Sequence, residues 1–256
     1  MINKKLSIIL SAYNVENYIS KTIDSLANQT SNNFEVIAVD DCSTDDTVKI
    51  LQDYEEKYDW LRVVCHAQNA GASAARNTGL KLTTSELVTF IDGDDWVEPS
   101  YVEYFLDKFS EMPNVDLVSC GFFIDSKNGK SKPQLEKKEL GQVSRDEAIK
   151  QIIKMNGSVM GYAWNKAYRR SIIEENELKF PTDLTLMEDQ LFNVQYATVA
   201  ENFYLNDKPL YHYVSRKDSI TKKFDMENVR DVGVATMKVY KTIHQGTKEE
   251  RQQEET

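Results

Sequence analysis

Asp92, Asp94 and Asp95 fall within four positions at the end of an apolar run, in the stretch VTFIDGDDWVEP, and no basic residue stands near them in sequence. A second acidic pair, Asp40 and Asp41, closes the run VIAVDD, and Ser11, Tyr13 and Asn14 follow LSIIL. Two like charges about 4 Å apart repel by roughly 4 kcal/mol at an effective dielectric near 20. Five carboxylates brought to one rim therefore call for a cation. All-oxygen donors suit Mg²⁺ or Mn²⁺, ions that complete their shells with water and substrate phosphate. One aspartate here could simply cap the helix that Pro99 announces. Three exceed that need.

Two further stretches carry polar groups suited to chemistry. NAGASAARNTG (Asn69 to Gly79) joins a strand to a helix through small residues, which lets backbone N–H groups approach a ligand. It matches neither G-x-G-x-x-G nor the P-loop pattern, so neither a dinucleotide fingerprint nor a P-loop is supported. Arg76 adds a fork-shaped cation that suits a phosphate or can pin an aspartate. LMEDQLF places Glu188 and Asp189 at a helix start, where acid is favourable on electrostatic grounds alone.

The elements that must position these groups alternate. Apolar runs at Leu6 to Leu10, Phe34 to Val39, Leu61 to Val64, Leu87 to Ile91 and Val115 to Ser119 read as buried strands. Helical spacing lies between them: Ile19, Ile23, Leu26; Val48, Leu51, Tyr54; Ala74, Ala75, Leu80; and Val102, Phe105, Leu106, Phe109. This predicts an α/β fold with a mostly parallel sheet flanked by helices, whose ligands sit beyond the carboxyl ends of the strands. Asp125 to Val143 reads as a surface excursion or hairpin. Helices are expected over Arg145 to Met155, Trp164 to Asn176 and Glu188 to Thr198. PLYHYV reads as a strand, Asp225 to His244 as a closing helix, and the polar tail after it as frayed, with room for a further domain beyond.

With 256 residues, 41% hydrophobic and 28% charged, the chain suits one large globular domain or one domain with a helical appendage. A net charge of -10 and the absence of a basic run argue against a nucleic-acid partner. Cys42, Cys65 and Cys120 are widely spaced and odd in number, which suits reduced thiols in a cytoplasmic protein. The first apolar stretch is too short to span a bilayer and lacks a cleavage site.

The ordered set SIILSAYNVENYI, VIAVDDCSTDDT, NAGASAARNTGL, FIDGDDW, WNKAYRR and MEDQLFN resembles family 2 of the nucleotide-sugar-dependent glycosyltransferases, which have the GT-A fold. The likeness runs from Leu6 to about Thr221. It implies a GT-A domain over 1–221, with a nucleotide-binding half (1–120) and an acceptor or catalytic half (121–221), followed by a C-terminal helix and tail (222–256). By resemblance, Ser11 and Tyr13 flank the uracil of a UDP-sugar, Asp41 contacts base or ribose, and Asn69 and Arg76 close around the nucleotide. Asp92, Gly93 and Asp94 match the DxD motif, with Asp94 meeting Mn²⁺ or Mg²⁺ and Asp92 the metal, ribose or donor sugar. Asp189 aligns with the general base, and Arg216 and Ser219 match groups that reach the diphosphate.

An inverting transfer to a polysaccharide, teichoic acid or glycoprotein glycan acceptor, free or lipid-linked, follows from that likeness. The expected location is cytoplasmic, with any membrane contact peripheral at the inner face. Oligomeric state is not implied. WNKAYRR is expected to line the acceptor side, Trp164 stacking on a sugar and Lys166 pairing with a carboxylate. His212, between two tyrosines, reads as a structural histidine before a metal ligand. Two other readings compete: a sugar nucleotidyltransferase, against which LSAYNVENY lacks the glycine and base of its opening loop, and an inactive nucleotide-sugar-binding protein of the same fold.

Overall fold

β1 (Leu6–Ala12), β2 (Phe34–Asp40) and β4 (Leu87–Asp92) are buried along nearly their whole length, which is why their sequences are continuous apolar runs and do not alternate. Their side chains feed two cores. Leu6, Ile8 and Leu10 enter one, and Ile9 enters the other with Val88 and Phe90. The computed structural model describes residues 4–126, 130–135, 140–215 and 226–254.

β3 (Leu61–Cys65) completes a parallel set in the order β3-β2-β1-β4. The sheet continues through β10 (Lys166–Arg169), β6 (Leu117–Ser119), β11 (Phe203–Leu205) and β9 (Gly141–Val143). β10 runs antiparallel to both neighbours, and β9 antiparallel to β11, so the sheet is mixed with a parallel majority. A second sheet, in the order β5-β12-β7-β8, is built from β5 (Trp96–Val97), β12 (Pro209–Val214), β7 (Gly121–Asp125) and β8 (Ser131–Gln134).

α1 (Ile19–Ala27), α2 (Thr47–Glu55) and α4 (Tyr101–Glu111) bury their apolar stripes in the first core. α5 (Arg145–Ile153), α6 (Arg170–Glu175), α7 (Glu188–Val199) and α8 (Met226–Glu254) contribute to the second. α3 (Ala72–Leu82) lies against β1 and β2. On α8, Ala235 and Val239 are buried, Asp231 accepts from the Thr185 N–H and hydroxyl, and Lys238 pairs with Asp183.

Three expectations change. Trp164 to Asn176 is not one helix: it holds β10 and then α6, because four residues inserted at the sheet centre are buried on both faces and show no strand period. The hairpin expected within Asp125 to Val143 is present but begins earlier, with β7 at Gly121 pairing with β8, and the edge strand β9 follows it. The tail is helical rather than frayed as far as Glu254. The 221/222 division falls outside the described residues.

Candidate active site

The chain steps outward from β1 to β2 to β3, then returns to the far side of β1 to form β4. That reversal opens a crevice between the carboxyl ends of β1 and β4, the usual ligand position in such sheets. Ser11 and Asp92 are register partners across it, and Ser11 Oγ donates to Asp92 Oδ1 at 3.1 Å. Gly93 follows, its N–H bonded to Ser11 O at 2.8 Å. A Cβ at Gly93 would stand 3.1 Å from that oxygen and 3.2 Å from Ala12 and Val15, so a larger residue would push the acidic loop off β1 by a few tenths of an ångström. Tyr13 is 47% exposed at this rim, which leaves its ring open for stacking.

Asp41 is buried and serves the loop before α3. It accepts from the N–H groups of Ala70 and Gly71, the latter at 2.7 Å, and lies 2.7 Å from His66 Nδ1. Asn69 Nδ2 donates to the Asp41 carbonyl at 3.2 Å. His66 Nε2 is 2.9 Å from Thr78 Oγ1 on α3. Asp40 is fully buried and holds Ser43 through its backbone N–H and hydroxyl. This acidic pair thus shapes the rim of the crevice from below.

Arg76 joins the two halves of the site. From α3 its Nη2 donates to Asp92 Oδ1 at 2.9 Å, and its Nη1 donates to Asp189 Oδ1 at 2.7 Å and Glu188 Oε1 at 3.2 Å. The guanidinium is buried over the Phe180 ring, with its centre 5.4 Å from the ring centroid. Burial works against its charge, and the three carboxylates more than offset that, raising its pKa. Glu188 and Asp189 begin α7 directly after Met187, which takes a left-handed φ of 63°. A non-glycine residue held there is unusual, and here it turns the first acidic residues of the helix toward Arg76.

The carboxyls are shifted according to their surroundings. Glu188 is pushed up to about 7 by burial and then by Asp189, against the pull of Arg76. Asp189 is raised by burial, opposed by Arg76, with Asp92 raising it further. Its Oδ2 also accepts from the Ala163 N–H at 3.0 Å. Each carboxylate oxygen has two lone pairs, so Asp189 retains room to accept a proton.

Asp95, the third acid of the loop, points away from the crevice into the core. It is buried, with Oδ2 accepting from Tyr211 Oη at 2.7 Å and Oδ1 from the Val214 N–H at 2.8 Å. It therefore ties the acidic loop to β12. Burial, then the charges of Asp94 and Asp92, push its carboxyl well above the usual range.

Trp164 is corrected: it is 3% exposed and stacked against Tyr162 and Tyr211 at 4.5 and 4.3 Å, which leaves no open ring face for a sugar. Lys166 is corrected too, since it bonds to backbone carbonyls and an amide instead of a carboxylate. His212 is structural: it is buried, stacked on Trp96 and Phe123, and held by Asp125 and Glu98. Arg216 and Ser219 lie outside the described residues.

Among the described residues no group of three or more His, Cys, Asp or Glu side chains is arranged to hold a metal by itself. The donor set still fits a divalent ion of the kind that takes one or two protein carboxylates and completes its shell with water and phosphate. Asp92 and Asp94 are partly exposed on either side of Gly93, while Asp95 is buried and committed elsewhere. Asp92 gives Oδ1 to both Ser11 and Arg76.

A switch-point crevice with carboxylates at its floor and a further acid on a facing helix belongs to the GT-A class of nucleotide-sugar transferase folds. The crystal structure of Staphylococcus aureus TarS 1-349 in complex with UDP-GlcNAc superposes with a TM-score of 0.75 at 27% identity, over 91% of this chain and 66% of that one. The family model "Glycosyl transferase family 2" matches residues 7–176, and the chain belongs to that family. EpsH of Bacillus subtilis (strain 168) is 35% identical over 224 residues, which take in 86% of this chain and 63% of EpsH. The poly(ribitol-phosphate) beta-N-acetylglucosaminyltransferase TarS of S. aureus (strain Mu50) is 30% identical over 220 residues, covering 83% of this chain and 36% of TarS. The chain thus spans less than two thirds of the length of these relatives.

Proposed function

We propose that this chain transfers a sugar from a UDP-sugar to a hydroxyl of a cell-surface polysaccharide, teichoic acid or glycoprotein glycan acceptor, with inversion at the anomeric carbon. The observation that carries this reading is the Arg76 fork, which holds Asp92 from the donor side and Asp189 from the facing helix around one cation. Relatives named for sugar transfer to poly(ribitol-phosphate) support a polyol or glycan acceptor, free or lipid-linked. Among the described residues no helix is long and apolar enough to cross a membrane. Family likeness is the ground for a cytoplasmic location, with any membrane contact peripheral at the inner face.

In this reading Tyr13 stacks on the uracil, Ser11 lies beside it, and Asp41 and Asn69 shape the ribose side. Asp189 accepts the proton of the acceptor hydroxyl as its oxygen bonds to the anomeric carbon. The bond from that carbon to the diphosphate breaks, and its electron pair leaves on UDP. Attack opposite the leaving group turns an α-linked donor into a β-linked product. Asp94, with Asp92, would hold Mn²⁺ or Mg²⁺, which when bound neutralises charge on the departing diphosphate. Arg216 and Ser219 are assigned to that diphosphate by family likeness.

Titrating the folded protein with UDP in the presence of Mn²⁺ tests the donor half of the proposal. Heat of binding that depends on the ion and is lost in Asp94→Ala is expected. Its absence in the folded native chain would sink the reading.

The pH dependence follows from the raised carboxyls. A raised pKa means that Asp189 takes up a proton, and stops acting as a base, at a higher pH than an exposed aspartate would. Glu188→Gln removes the negative charge beside it, so the acid limb of the UDP-release profile is expected to move to lower pH. A limb that stays in place would show that the two acids do not titrate as a coupled pair.

A further inference from the structure

Beneath the acceptor side lies a buried lysine that the transfer chemistry does not touch, its pKa lowered to about 7 by burial against the opposing pull of Asp189, so that it is a cation on the acid side of neutrality. Lys166, the first residue of β10, is fully buried. Its Nζ donates to the carbonyl oxygens of Val159 at 3.0 Å, Met160 at 2.9 Å and Tyr162 at 2.6 Å, and to Asn165 Oδ1 at 2.8 Å. An ammonium has three protons, so its four acceptors share them. Carbonyl oxygens converging on one point repel one another unless a cation sits among them. The loop from Val159 to Tyr162 is thus folded around this side chain.

The same loop is held from two other directions. Asn165 Nδ2 donates to the carbonyls of Ser158 and Val159, and Asn193 Nδ2, on α7, donates to Gly161 O and Asp189 O. Met160 adopts a left-handed φ of 49°, and a Cβ at Gly161 would stand 2.6 Å from Gln190 Cβ, so the turn is tight and pressed against α7. The turn ends at Ala163, whose N–H meets Asp189 Oδ2.

We infer that Lys166 is a positioning residue for the base, an inference that rests on Asp189 acting as that base. By gathering three carbonyls of the loop it aims the Ala163 N–H at one oxygen of Asp189, while Arg76 holds the other. The carboxylate is thereby fixed in rotation with its remaining lone pairs directed toward the acceptor. Its charge also lies close enough to favour the ionised form of Asp189. Lys166 touches neither donor nor acceptor in this scheme.

The test is Lys166→Met, assayed by UDP release from UDP-GlcNAc, UDP-Glc, UDP-Gal or UDP-GalNAc, whichever the native chain turns over. A fall in kcat of about 10²-fold is expected, the size of effect that a misplacement of about 1 Å brings. KM for the donor and Mn²⁺-dependent UDP affinity should stay within about twofold of native, on the same scale of argument. The acid limb of the kcat profile should move to higher pH, because Asp189 loses an N–H donor and a nearby positive charge. Asn193→Ala, which frees the loop while keeping Lys166, should reproduce the split between kcat and KM, and it serves if Lys166→Met does not fold. A folded Lys166→Met chain with native kcat and an unmoved acid limb overturns the inference. So does a loss shared equally by kcat and UDP affinity. Asp189→Asn, run alongside, separates the two failures: native turnover in that variant removes the base itself, whereas an inactive Asp189→Asn beside an unaffected Lys166→Met removes only the positioning role.

Discussion

Replacing Arg76 by methionine is expected to abolish measurable sugar transfer and to destabilise the fold by about 3–5 kcal/mol, the range for removing one partner of a buried ion pair. Three carboxylates, those of Asp92, Glu188 and Asp189, share this one guanidinium. Without it they face one another in a buried site, and the cheapest relief is to bind protons. Asp189, having lost the cation that opposes its raised pKa, would hold its own proton to higher pH and be a poorer acceptor for the proton of the sugar hydroxyl. Arg76→Lys should recover part of the stability and little of the activity, since a single ammonium cannot reproduce a fork that reaches Asp92 with one nitrogen and Asp189 with the other. Denaturant unfolding together with UDP release measures both effects. Activity within tenfold of native in a folded Arg76→Met chain would show that the bridge is a structural ion pair alone.

The positions that proved legible in sequence share a physical reason. β1, β2 and β4 are buried on both faces and so leave continuous apolar runs, and the acids after them break those runs abruptly. The crevice was therefore visible as chemistry at strand ends before any coordinates. Arg76 was visible as a cation able to pin an aspartate, but its bridge was not, because the contact joins α3 to the start of α7 across a turn set by a left-handed Met187. β10 was hidden although it is buried like β1: it is only four residues long, carries Lys166 and Arg169 in place of an apolar run, and is bounded by residues with helical spacing, so the segment read as helix. Family likeness had assigned Trp164 and Lys166 to the acceptor side, and beside a central strand they are instead core and loop scaffold. Asp95 shows how little a motif says about direction, since it follows Asp94 in sequence yet turns inward to Tyr211 and Val214.

Asp189→Asn is the substitution that separates chemistry from binding. The amide keeps the size of the carboxylate but has no basic oxygen, so kcat should fall by about 10²–10⁴-fold, the usual contribution of a positioned general base. UDP binding in the presence of Mn²⁺ should persist, because the donor rim of Ser11, Tyr13, Asp92 and Asp94 is left intact, Asp92 still being held by Ser11 and Arg76. The native Asp189 accepts from Arg76 on one oxygen and from the Ala163 N–H on the other, and an amide has only one oxygen to offer. One of those donors must therefore meet an NH₂ group, which lowers stability by about 1–3 kcal/mol as an unsatisfied buried donor does. The fall in rate and the fall in stability can be told apart, because only the first reflects proton transfer. Asp189→Ala leaves both donors without an acceptor, so it should be no more stable than Asp189→Asn and no more active. If Asp189→Ala retains native turnover, the proton leaves the acceptor by another route and the base must be sought elsewhere on the crevice wall.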